Sequence, residues 1–247
     1  MAKRLFAVLM ALTLVVALTV PALAASGTLD IASAWGGADR TGPSRVEVTY
    51  TIKASGSVPQ AAVDAVQDAI TTWNGAIDGL ESGWDFDLVP LGSGSGTSLA
   101  GRRGMFVKPP GGCDPWPQCK NGGGNGGAEP DIEIQIKKGG GRIAGMARWE
   151  RDADGFTVYA KIQISGSAFG LENQPEVVGE IALHELGHAL GLGHHSNEAD
   201  LMGRTVGYEQ GGPSACDLDG FKAAHHWLTT DVGSSPHLPH VNFVTCP

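Results

Sequence analysis

Between residues 184 and 194 the chain reads His-Glu-Leu-Gly-His-Ala-Leu-Gly-Leu-Gly-His, and this spacing restricts the fold more than any other feature of the sequence. His184 and His188 stand four residues apart, so they share one helix face at a separation of roughly 6 Å and can grip one metal ion from the same side. His194 follows after six residues. A helix that simply continued would carry it away from the other two. Gly191 can adopt the left-handed conformation that ends a helix sharply and turns the chain back. Three neutral imidazoles leave a fourth tetrahedral position open, which is the layout of a catalytic zinc and not of a structural one. Imidazole also suits copper, iron or nickel, so zinc rests on the motif together with the open position. Glu185 lies beside the first ligand without being one. It can take a proton from a water and later deliver it to a leaving group, while zinc brings the pKa of that water to around 7 and polarises a carbonyl.

The start of the chain has a different character. Lys3 and Arg4 precede an almost wholly apolar run from Leu5 to Val20, and Ala22-Leu23-Ala24 places small residues where a signal peptidase reads them. Residues 1–24 are expected to be a secretory signal peptide, since the run is short for a span of roughly 30 Å. The mature protein, residues 25–247, is then a single secreted, extracellular domain with no membrane attachment. Four cysteines fall within it, and an even count in an exported chain predicts two disulfides. Cys113 with Cys119 and Cys216 with Cys246 is the favoured pairing, metal binding the alternative. A net charge of −9 argues against a nucleic-acid partner, because neutralising phosphates takes clustered Lys and Arg.

Periodicity places the elements. RVEVTYTIK (45–53), the stretch 84–91 and DIEIQIK (131–137) alternate as strands, and 142–150 and 156–165 form two more joined by Asp152-Ala153-Asp154-Gly155. The Asp-Gly step signals a hairpin; a calcium loop is the other reading, without the bidentate Glu of an EF-hand. Helices are expected over 58–77, with Ser57 as N-cap, over 175–190 from Pro175, and over 214–228. The chain holds 37 glycines, about twice the usual share of roughly 7 %. Many sit in 92–104 and 111–127, which read as long loops, and 229–247 reads as a C-terminal tail.

The pattern H-E-x-x-H-x-x-G-x-x-H followed by a methionine is that of the metzincins. From Arg45 to Leu228 the chain resembles their matrixin branch, the matrix-metalloproteinase-like zinc proteases, and especially small prokaryotic members. Met202 in Ala199-Asp200-Leu201-Met202 matches the Met-turn, and the resemblance makes it the hydrophobic floor beneath the metal. Asp217 matches an acidic residue of the last helix that anchors the active-site region, and Ile143-Ala144-Gly145-Met146-Ala147 resembles the edge strand that pairs with an extended substrate. His195 stands where matrixins usually carry Ser, and the cysteine that blocks zinc in many matrixin pro-segments is absent. The resemblance implies an α+β, metzincin-like zincin fold: a twisted five-stranded mixed sheet, three helices, and an active-site cleft floored by the ligand helix. It implies a monomeric endopeptidase that cuts peptide or protein substrates with catalytic Zn2+, and it allows structural Ca2+. A secreted, zinc-stapled binding or adhesion protein without turnover is the alternative, and the intact Glu185 weighs against it. The remaining histidines, His195, His225, His226, His237 and His240, are expected to be solvated or locally hydrogen-bonded.

Overall fold

In the computed structural model the described residues are 26–36, 46–55, 58–81, 84–91, 129–137, 143–165, 174–206, 211–229 and 238–246. Expectations for the signal segment, the two glycine-rich loops, Ser57, Cys113, Cys119 and His237 lie outside them.

Alternating apolar residues build the main sheet. Val46, Val48 and Tyr50 on β2 (Val46–Ala54), Ile132, Ile134 and Ile136 on β4 (Ile132–Lys137), and Ala160, Ile162 and Ile164 on β6 (Thr157–Ser165) are all buried. With side chains alternating across each strand, these sets fall on one face of the sheet. β3 (Phe86–Pro90) and β5 (Gly145–Arg151) complete the order β3-β2-β4-β6-β5. The first four of these strands run parallel, and β5 closes the edge antiparallel to β6 through the 152–155 turn. In that turn Asp152 Oδ1 accepts the N–H groups of Asp154 and Phe156, so the carboxylate serves the hairpin.

Two helices lie against this sheet. α1 (Gln60–Asp78) is the crossover between parallel strands β2 and β3 and buries Val66, Ile70, Trp73 and Ile77 at helical spacing. Each such side chain contributes roughly 1.5–3 kcal/mol by leaving water. α2 (Pro175–Ala189) packs on α1 and the edge of the sheet and is buried along most of its length. Two indoles pin it: Trp73 donates to Leu183 O at 2.9 Å, and Trp35 donates to Ala189 O at 2.8 Å in the last turn, where carbonyls lack helical partners.

The lower part departs from expectation. A second, three-stranded sheet has the order β7-β1-β8, from Leu192–His195, Gly27–Ile31 and Phe243–Cys246. Part of the expected tail is therefore a strand, and β1 pairs with the strand that carries His194. The last helix is shorter than expected: α3 (Ala215–Ala224) ends at His225 and a 3-10 turn covers His226–Leu228. Its start follows the sequence closely, with Ser214 and Asp217 forming a reciprocal capping box. The expected Cys216–Cys246 disulfide joins α3 to β8 with the Cα atoms 5.5 Å apart. Among the described residues no helix is long and apolar enough to cross a membrane.

The disulfide spans a sequence separation of 30 residues. Replacing both cysteines with serine is expected to lower the unfolding free energy by about 3–4 kcal/mol, the chain-entropy value for such a loop. Denaturant titration of the double variant against the parent measures it.

Candidate metal centre and cleft

α2 ends at Leu190, and Gly191 takes φ 96°, turning the chain into β7. That reversal brings His194 to His184 and His188: the ring centroids lie 4.7, 4.8 and 5.7 Å apart, and the three ligand nitrogens lie within 4.8 Å of one another. Two rings are oriented by backbone. His184 Nδ1–H donates to Leu201 O at 2.6 Å and His188 Nδ1–H donates to Leu192 O at 2.8 Å, since a carbonyl can only accept. Each bond leaves Nε2 as a free lone pair and fixes the ring plane. Burial lowers the proton affinity of all three rings, taking His188 down to about 4, and for His194 the positive Arg204 nearby adds to the effect. Neutral imidazole is the form that binds a metal. The donor set, its convergence and its protonation therefore fit one divalent ion.

Met202 lies fully buried beneath the ligand helix. A β carbon on Gly187, between the first two histidines of the motif, would run into its sulfur. His195 N donates to Met202 O at 2.7 Å, which ties the Met-turn to the ligand strand. Below it, Asp200 and Asp217 form a buried carboxyl pair. Asp217 receives the Ser214 N–H at 2.8 Å, and burial first and the charge of Asp200 second push its pKa up to about 7. Its Oδ1 has no conventional donor, which a proton shared between the two carboxyls explains.

Glu185 is 5 % exposed and faces the edge strand. Burial pushes its pKa up to about 8, and the N–H of Ala147, donating to it, works in the opposite direction. A β carbon on Gly145 would come within 2.5 Å of both Glu185 Oε1 and Ile181 Cγ2, so only glycine lets the carboxylate approach the strand this closely. Ile143 to Ala147 line a cleft of about 730 Å³ together with the three histidines and Glu185. The carbonyl of Ala144 is turned inward to Ser165 N, so in an antiparallel strand the backbone groups of Gly145, Ala147 and Trp149 face outward. Ala147 N–H meeting Glu185 agrees with that phase.

Arg204, Thr205 and Val206, just beyond Met202, also line the cleft, and Val177 and Ile181 of α2 add apolar surface. No periodicity marks such loop residues. Of the remaining histidines, His195 and His225 are buried. His195 Nδ1 accepts Asn197 N–H at 2.9 Å, and His225 Nε2 accepts Trp35 N–H at 3.2 Å. His195 also lies beside Cys216 and Cys246, but the two sulfurs are bonded to each other.

Residues 137–225, which contain this centre, match the family model described as Matrixin. No curated protein matches the chain. Among solved structures, it is similar to an archaemetzincin from Methanopyrus kandleri at 15 % identity, covering 72 % of this chain and 87 % of that one, with a TM-score of 0.31. It is similar also to metalloproteinase-II from Bacteroides fragilis at 18 % identity, covering 79 % of this chain and 56 % of that one, with a TM-score of 0.36. Both are remote likenesses.

The raised pKa of Asp217 sets a sign. The folded state holds a proton that the unfolded chain releases near pH 4, so stability is greatest below that value and falls as pH rises through about 7. Asp217→Asn is expected to flatten this slope. Thermal melts of parent and variant from pH 5 to pH 8 test it, and equal slopes would show that the carboxyl pair does not hold the proton.

Proposed function

We propose that the chain is a secreted, extracellular, metzincin-like zinc endopeptidase in which Glu185 is the general base, a reading that the match of residues 137–225 to the matrixin model supports. One observation carries the reading: three neutral, convergent imidazoles and a buried carboxylate line one cleft with an edge strand of the main sheet.

His184, His188 and His194 hold the ion. Zinc bound there supplies Lewis acidity toward a water and toward the scissile carbonyl. An extended peptide lies along β5, where the outward backbone groups of Gly145 and Trp149 and the carbonyl of Ala147 add it to the sheet as a sixth strand. Glu185, held by Ala147 N–H, takes a proton from the attacking water and delivers it to the amine that leaves. Its burial favours both halves of that role, because a carboxylate with raised proton affinity is a stronger base and then a proton donor at neutral pH. Gly145 lets the carboxylate and the peptide backbone share the same narrow space. Export is supported by the leader-like residues 1–24 and by the Cys216–Cys246 bond, which suits an oxidising compartment. The acidic balance of the chain suits a peptide ligand and not a nucleic acid.

The purified mature protein is expected to hydrolyse casein or gelatin, to stop when a chelator is added and to recover with zinc. Glu185→Ala is expected to keep its zinc and lose about two orders of magnitude or more in turnover. Parent-like turnover in that variant would remove Glu185 from its role. Gly145→Ala is expected to keep zinc and lose about a hundredfold, the cost of displacing a reacting group by an ångström. Metal analysis beside steady-state kinetics separates lost metal from lost alignment.

A further inference from the structure

We propose that Arg204 makes this cleft select peptides that carry an aspartate or glutamate beside the scissile bond. The inference rests on the endopeptidase reading for its substrate and adds which peptides are taken.

The loop that carries Arg204 is fixed in place. Thr205 N–H donates to Glu198 Oε2 at 3.0 Å, and Gly203 packs so closely on the backbone of Glu198 that a β carbon there would lie 2.8 Å from its carbonyl oxygen. Arg204 therefore stands on a braced segment at the cleft wall, two residues beyond the buried Met202. Its positive charge is felt at His194, so it lies near the metal centre and near the bond to be cut. Among the described residues lining the cleft it is the one permanent cation, and Val177, Ile181 and Val206 give the lining apolar surface. The guanidinium is exposed and makes no hydrogen bond or ion pair with the described residues. Glu198 also acts on His194, but one of its oxygens is committed to the loop backbone.

A peptide seated between β5 and this wall presents side chains alternately to each side. A residue turned toward Arg204 meets five N–H donors in a fork that matches a carboxylate bidentately. An amide of the same shape cannot return the charge. The protein as a whole is acidic, so attraction toward an acidic side chain must be local to this spot.

Binding is measured first, with zinc-loaded Glu185→Ala protein and uncut peptide pairs that differ only by Glu against Gln at the positions flanking the scissile bond. The Glu peptide is expected to bind about tenfold tighter, as for a hydrogen bond to a charged group. The preference should shrink as salt rises from about 0.1 M to 1 M, where the screening length falls from roughly 10 Å to 3 Å. In the same background Arg204→Ala is expected to equalise the pair, and Arg204→Glu to turn the preference toward Lys. Equal binding of Glu and Gln peptides, or a preference that survives Arg204→Ala, would overturn the proposal. Turnover of the same peptides by the parent enzyme is a separate readout. An acidic preference in binding with no hydrolysis by the zinc-loaded parent would sink the endopeptidase reading and leave the selectivity standing.

Discussion

The reversal at Gly191 is the constraint on which the rest of the molecule depends. At φ 96° a side chain would be strained by roughly 1–2 kcal/mol. Here a β carbon would also strike the carbonyl oxygen of Ser33. The glycine is thus needed twice, once to turn and once to let another segment approach. Its own carbonyl receives the N–H groups of Ala32 and Ser33, at 2.8 and 3.1 Å. One residue ends the ligand helix, starts the strand that returns the third histidine, and docks the chain that leads out of β1.

From this turn the polar order of the site follows. β7 is only four residues long, yet its alternation sends His194 into the cleft and His195 into the interior. The carbonyls of Leu192 and Leu201, one before and one after the third ligand, accept from the other two rings. Ring orientation is therefore set by the backbone of the segment the turn creates. The Met-turn completes the frame: Met202 fills the space that Gly187 leaves, and Asp200 links its backbone to the capping box of α3, with Asp200 Oδ1 accepting Met202 N–H at 3.3 Å.

What could be read from the sequence was what is local. The three convergent histidines, Glu185, the helix that carries most of them and the strands of the main sheet each declare themselves within a dozen residues, through a fixed spacing or a clean alternation. The last helix opens at Ser214 as expected, and the structure adds that Asp217 closes a capping box with it. The small sheet did not declare itself, because GTLDI, LGHH and FVTC are short and carry little pattern of their own. They become strands by pairing across the length of the chain, and that partnership has no local signature. His195 is hydrogen-bonded locally, to Asn197 N–H, as expected, whereas His225 escaped because the N–H it receives belongs to Trp35, far away along the chain. Ile143 to Ala147 were placed by resemblance, and the structure gives the physical content in Gly145, whose missing side chain makes room for Glu185.

β1 pairs on one side with the strand of the third histidine and on the other with Phe243–Cys246, so Gly27 lies across from Cys246. The small sheet thus draws on three stretches far apart in the chain, and none of them has a second strand to pair with until the others arrive. Loosening β8 would reach His194 through β1, although β8 is not among the residues that line the cleft.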